Sequence, residues 1–492
     1  MGLRANNEYI SETIVIVRDK FIRSRIPTFS FLSARVLMDP YIITNAYIKE
    51  PPTTFGGRFK FLGPGFILSA SIVGSGELIA TTILGAKAGF AAFWIIILSC
   101  LIKVAVQLQY GKHAIWTGET TVRAFNLLPG FRIGRGSWAV WTVFLLQFLK
   151  IVQLGGMVGG TAIVLRMIFP AGSVFIWTLI VGLGAAVLIY KDYYPIVEKG
   201  SMIMIALFTL LTMASLYLLK NTEYAFTWME VIRDLRFKLP PDQVMVAIGA
   251  FGITGVAADE TIAYNYWCIE KGYAAYTGPK ATGEQEELAR KRRAKGWVRV
   301  MYTDAIVAMI IYTVVTAAFY LLGAAILYQR GEVPEGNALI EKIALIYTES
   351  LGPEVKSAYL VGAFFVLFSS VFASLAAWTR VFSDIFGQLG WIRFSDQGQR
   401  KRTVAILSFV FPALWIFMFY TINLPVLMIL SGGFVGSVML IVVGFGAVHF
   451  RFFRGYEEQN GIGASLFFWL SLLSILFVAI YGLYSLVQQF II

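Results

Sequence analysis

Cysteine and histidine are almost missing from this chain of 492 residues, with two of each: Cys100 and Cys268, His113 and His449. The cysteines lie in separate apolar stretches, so neither a disulfide framework nor a zinc motif is present. Two histidines cannot build a histidine-rich metal centre. Charge is scarce as well. Only 14% of residues are charged, against about 25% in a soluble domain. At 58% hydrophobic and a mean hydropathy of +0.71, the chain cannot clothe a soluble surface with polar groups. An ordinary cytosolic enzyme is excluded, and so is a disordered chain, which combines low hydrophobicity with high charge. No phosphate-binding loop of the GxxxxGK type is present, which excludes an ATP-driven pump. No Ser/His/Asp or Cys/His arrangement suggests catalysis, and no cofactor is expected.

Long apolar runs are what the chain has. A spanning helix needs roughly 20 mostly apolar residues. Eleven segments qualify, at about 61–86, 89–110, 137–168, 172–190, 196–219, 242–268, 299–327, 358–383, 403–421, 424–449 and 464–490. The expected fold is an all-α integral membrane protein with 11 transmembrane helices. No soluble domain fits between them. Residues 1–60 lack the apolar run and small-residue cleavage site of a signal peptide and read as a cytoplasmic tail, in part an interfacial helix.

The net charge of +12 is distributed unevenly. With the N-terminus inside, the inner tail and loops carry thirty Lys and Arg, and the outer loops eight. This bias orients a multi-pass plasma (inner) membrane protein with its N-terminus in the cytoplasm and its C-terminus outside. The basic run ARKRRAKGW at 289–297 reads as an inner anchor against anionic headgroups, not as a nucleic-acid site. The lipid bilayer is thus one partner, and nucleic acid is not.

Two spans are interrupted. The first reads FLGPGFILSASIVGSGELIATTILGAKAG, where Gly74, Ser75 and Gly76 break the apolar pattern and Glu77 follows. The sixth reads MVAIGAFGITGVAADETIAYNYWCIEKG, where Gly249, Gly252 and Gly255 precede Asp259 and Glu260. Glycine has the most backbone freedom to lose and so weakens a helix. Unwound backbone in lipid survives only where it lines a cavity or binds something. SGELIAT (75–81) lies over ADETIAY (258–264), setting Glu77 on Glu260. The first and sixth spans are where a five-plus-five inverted repeat places equivalents, and paired interruptions of this kind point to a transporter's binding site.

Buried acids are costly, at least about 2.5 kcal/mol each on insertion scales, and mark function by default. Glu77 and Glu260 are therefore expected to meet at one substrate or coupling-ion site, with carbonyls near Gly74, Ser75, Gly252, Thr254 and Gly255. Adjacent helical residues point about 100° apart, so Asp259 and Glu260 are not expected to face one site together. Lys103, Lys150 and Asp304 are the other charges considered for coupling or gating. One lysine is expected to neutralise an acid in the empty carrier, and Lys150 with Asp304 is the pairing considered. Ser369, Ser370, Gln107, Gln147 and Gln153 read as polar linings or as hydrogen bonds between helices.

The residues resemble the natural resistance-associated macrophage protein (Nramp) family of divalent-metal transporters over about 60–450. GPGFILS at 63–69 looks like that family's first span. LSCLIKVAVQLQYGKHAIWTGE at 98–119 is similar to its second, and YTDAIVAM at 302–309, with Asp304 at the acidic position, to its seventh. IALIYTESLGP at 343–353 resembles its external amphipathic helix. The resemblance implies a LeuT-like fold: a ten-helix inverted-repeat core at 61–450, broken helices 1 and 6, and an added C-terminal helix at 464–492.

The chain departs from the family at the site. Gly74-Ser75-Gly76-Glu77 stands where the family has Asp-Pro-Gly-Asn. The sixth span lacks the family's methionine, proline and histidine. An oxygen-only site suits hard ions such as Mg²⁺, Mn²⁺ or Ca²⁺. The expected function is secondary transport of a divalent metal ion, the metal being substrate and not cofactor, with protons as a possible coupling ion. Two carboxylates meeting at one point offer a route to proton coupling. The alternative is a LeuT-fold carrier of an organic cation, amine or amino acid. A non-transporting receptor or a channel is the third reading, and a single discontinuous site argues against a simple channel. The sequence does not speak to oligomeric state.

Overall fold

An apolar run that cannot satisfy its backbone with water folds as a helix, which pairs every peptide group internally. The computed structural model describes residues 39–191, 194–235, 243–334, 336–454 and 461–491, and these are almost entirely helical. The first expected span is α1 (Pro64–Ile72), a wide π-helical turn (Val73–Thr81) and α2 (Thr82–Ala88). Next come α3 (Phe93–Thr117), the short α4 (Thr121–Asn126), and α5 (Trp138–Leu149) joined to α6 (Ile151–Ile168). After α7 (Val174–Tyr190), α8 (Tyr194–Leu218) and the short α9 (Trp228–Asp234), the sixth expected span divides into α10 (Val244–Ile253) and α11 (Ala258–Glu270). The chain continues through α12 (Glu284–Leu322), α13 (Leu339–Leu351), α14 (Lys356–Gln388), α15 (Gln397–Ile422), α16 (Pro425–Phe453) and α17 (Ile462–Ile491). Among the described residues the strands are β1 (Arg132–Ile133) and β2 (Gly136–Ser137), paired antiparallel with Arg132 opposite Ser137.

Among the described residues nine helical runs are long and apolar enough to cross a membrane, and Val174–Tyr190 is a shorter apolar helix. Two boundaries differ from expectation. Helix α12 begins at Glu284, so the basic run forms its first turns rather than a loop. EQEELARKRRAK is rich in strong helix formers and opens with acids at the positive helix end. The third expected span has a joint at Lys150, whose amide reaches the carbonyls of both Leu146 and Gln147.

Residues 43–492 form one unit and residues 1–42 another, of which only 39–42 are described. Most of the expected N-terminal tail, together with two of the eight outer basic residues, Arg236 and Lys238, therefore lies outside the described residues. Within the larger unit α10 packs along α16, α12 along α3, and α6 against α14, α15 and α16. Close approach of α10 and α16 depends on glycine: a Cβ at Gly252 would overlap the Gly433 carbonyl. The π turn touches α10, α12, α14 and α16, so both interrupted segments sit at the centre of the packing.

Candidate functional site

The break in the sixth segment follows from its backbone. Thr254 is extended at φ −80°, ψ 149°, and Gly255 takes φ +60°, a region open to glycine at little cost. A Cβ at Gly255 would also stand 2.9 Å from the Cα of Cys100. Breaking the helix frees carbonyls at the end of α10, and α3 supplies their donors. Lys103 Nζ donates to the carbonyls of Phe251 and Thr254, the latter at 2.7 Å, with its ammonium 4.6 Å above the Phe251 ring. Ser99 Oγ lies 3.1 Å from the same two carbonyls and accepts from Thr254 Oγ1 at 2.9 Å. Helix α11 starts with amides that lack intrahelical partners. Glu260 Oε2 accepts from the Ala257 amide at 2.9 Å, and Asp259 and Glu260 both stand in the first turn, where negative charge is favoured.

The first segment stays helical. Its interruption is the π turn, a single widened stretch of the kind often found at functional sites. Hydroxyls of α14 take up carbonyls just before it: Ser370 donates to Ser71 at 2.7 Å and Ser369 to Ala70 at 3.3 Å. A Cβ at Gly74 would overlap Ser370. At Gly76 a Cβ would stand 2.7 Å from the Ile253 carbonyl, so the two interruptions touch backbone to backbone. The side chain of Ser75 lies outside the described structure. Glu77 is fully buried. Its Oε1 accepts from the Gly255 amide at 3.2 Å and from Thr316 of α12 at 3.0 Å, while Oε2 has no hydrogen-bond partner among the described residues. The Thr81 hydroxyl donates to the Glu77 carbonyl.

Between these elements lies a narrow cleft, with room for little more than a water-sized group. The first segment contributes Ser71, Ile72 and Gly76, and α6 contributes Gln153, Leu154 and Met157. Ile253, Ala257, Asp259 and Glu260 line the sixth-segment side, and Ser374 of α14 completes it. Asp259 and Glu260 both line the cleft, against expectation, because the cleft wraps the end of α11 rather than its side. Glu77 does not line it. The wide turn directs Glu77 to Gly255 and Thr316, near enough to feel the charge of Glu260 but behind the backbone of the break. Lys150 pairs with Asp259, not with Asp304. The Asp304 carboxylate instead accepts from the amides of Gly63 at 2.8 Å and Gly65 at 2.5 Å, capping α1 from a neighbouring helix.

Met157 and Ser374 escaped sequence reasoning. A signal existed for Met157: Lys150, Gln153 and Met157 recur at helical spacing in an apolar segment. Met157 also means that the cleft is not lined by oxygen alone. Gln153 Oε1 is buried without a hydrogen-bond partner among the described residues, on a side chain that lines the cleft. No group of three or more His, Cys, Asp or Glu at metal-holding distances is found among the described residues. An ion here would rest on two carboxylates, neutral oxygens and water, a set that a hard divalent cation accepts.

The family model described as natural resistance-associated macrophage protein-like matches residues 65–485. The chain belongs to the Nramp family. It is thus a multi-pass membrane protein of a transporter family. Among its relatives is the divalent metal cation transporter MntH of Caldanaerobacter subterraneus subsp. tengcongensis, 22% identical over 56% of this chain. The match spans 60% of that protein's length. An uncharacterized Pasteurella multocida protein is 23% identical over 69% of this chain and 73% of its own. In fold, this Nramp chain resembles the Eremococcus coleocola manganese transporter, crystallised with an aromatic bis-isothiourea substituted compound. The TM-score is 0.59 at 15% identity, with 91% of each chain covered. This likeness is one of fold, LeuT-like in kind.

Proposed function

We propose that this Nramp-family chain carries a divalent metal cation across the membrane by alternating access, and that the cleft at the end of α11 is its binding site. The observation that carries the reading is the placement of two adjacent carboxylates, Asp259 and Glu260, in a cleft formed where the two interrupted segments touch. A charge so placed is costly unless it meets a counter-charge. Glu260, Asp259 and Gln153 contact the ion, while Ser71 and Ser374 complete a polar lining. One thioether, Met157, among five oxygen-bearing side chains leaves the set hard. Mn²⁺, Mg²⁺ and Ca²⁺ are the favoured substrates. The proton is the proposed coupling ion, and Glu77, buried with one oxygen lacking a partner among the described residues, is its proposed carrier. The same reading includes eleven spans in a five-plus-five inverted repeat, a cytoplasmic N-terminus and an external C-terminus.

The Lys150 ammonium is itself an amine seated on one of these carboxylates. That pairing favours, as a second reading, the carriage of a small organic amine held by the same carboxylates. One experiment separates the two. Purified protein in liposomes should take up Mn²⁺, Mg²⁺ or Ca²⁺, and Glu260→Gln or Asp259→Asn should lower that uptake by roughly a hundredfold, as loss of a direct ligand does. Uptake of an amine with no divalent uptake would replace the first reading by the second. Divalent uptake indifferent to both substitutions would remove the site.

A further inference from the structure

We propose that Lys150 is a tethered counter-cation that competes with the transported ion for the cleft carboxylates and so sets the carrier's affinity. The inference rests on the proposed function. Lys150 occupies the joint between α5 and α6, at φ −70°, ψ −3°. Its side chain is 1% exposed and that of Asp259 13%. The ammonium bonds Asp259 Oδ1, on a carboxylate that lines the cleft. It reaches this position beside α16, where a Cβ at Gly436 would stand 3.7 Å from Nζ.

The pair leaves a distinctive charge balance. When both are ionised, Asp259 and Glu260 bring two negative charges to the cleft, and the Lys150 ammonium offsets one. The charge of Lys150 also acts on Glu260. A divalent cation entering the cleft must therefore either displace the ammonium from Asp259 or bind beside it with a repelling charge close by. Both weaken binding relative to the same carboxylates without the lysine. A second polar group, Gln153, lies one turn along from Lys150 and lines the same cleft, and its amide oxygen, buried near Gly432, has no hydrogen-bond partner among the described residues. A lysine serving only to staple the third segment to α11 would give stability without touching affinity, and this difference makes the idea testable.

The test is Mn²⁺ binding to the purified full chain in phosphatidylcholine nanodiscs, at one fixed pH, for the wild type and three variants. Lys150→Met is expected to bind Mn²⁺ at least about tenfold tighter. Lys150→Arg, which keeps the charge, shows no such gain. Methylammonium competes with Mn²⁺ in Lys150→Met, where it refills the vacated position, and not in the wild type. Should Lys150→Met fail to purify as monodisperse protein, Lys150→Gln, which keeps a donor to Asp259 without the charge, carries the same expectation. Unchanged or weaker Mn²⁺ affinity in the folded neutral variants, in a protein whose wild-type binding is abolished by Glu260→Gln, overturns this inference alone. Absence of Mn²⁺ binding in the wild type and in every Lys150 variant overturns the proposed function and the inference together.

Discussion

The first interrupted segment carries its hydrogen-bond ladder through a wide π turn, whereas the sixth lets the ladder go between Ile253 and Ala258. Each holds a glutamate at matching positions, Glu77 and Glu260, yet the two carboxylates have different surroundings. Glu260 stands in the first turn of a helix and lines the cleft. Glu77 stands inside a continuous turn, fully buried, and is spent on the Gly255 amide and Thr316. A true break creates two helix ends and room between them. A widened turn only redirects a side chain. The likeness of sequence between 75–81 and 258–264 thus covers two physical solutions, one facing the cleft and one bracing it from behind.

The strongest way to break this comparison is to remove what holds the sixth-segment break open. Lys103→Met deletes the ammonium that serves two carbonyls of α10, while the first segment has no equivalent dependence. A loss of about 3 kcal/mol is expected, because hydrogen bonds from charged donors are the strong ones and buried acceptors are costly to strand. Thermal unfolding of the purified protein in detergent measures it, and an unshifted midpoint would show that Ser99 alone suffices.

The second test compares the two glutamates directly. Glu260→Gln should weaken divalent-ion binding by about a hundredfold, and Glu77→Gln by less than about tenfold, since only the former touches the ion. Equilibrium binding of Mn²⁺ reads both, and equal losses would mean that Glu77 also reaches the cleft. Gly255→Ala comes next, at about 2 kcal/mol. It combines a positive φ with a Cβ pressed against the Cys100 backbone. The smallest effect belongs to the first segment. Ser370→Ala removes one hydroxyl from the Ser71 carbonyl and should cost about 1 kcal/mol by the same unfolding measurement.

Much of the fold was legible in the sequence because its causes are local. The apolar runs coincide closely with the helices, and the clustered glycines before Asp259 and Glu260 mark the place where α10 ends. The misplaced boundaries have local causes too, read with the wrong weight: charge at 289–297 suggested a loop, though the residues are strong helix formers. The site was legible only in part. Asp259 and Glu260 were found as buried acids, but their sharing of one cleft depends on where the cleft meets α11. Pairing of Lys150 with Asp259 spans 109 residues of sequence, and nothing near either residue specifies the other. Met157 shares helical spacing with Lys150 and Gln153, but in a chain with 14 methionines that spacing does not single it out.

Composition and pattern by themselves determined that this chain is a multi-pass membrane protein, where its long apolar helices lie, and where glycines cluster within two of them. Those properties follow from hydrophobicity and backbone freedom, which act over neighbouring residues. Only the tertiary structure decided that Glu77 braces while Glu260 faces the cleft, that Asp304 caps α1, and that Lys150 neutralises Asp259. Those assignments depend on which helices lie side by side. In a medium without water to satisfy a stray charge, each buried polar group takes the partner that packing brings within reach.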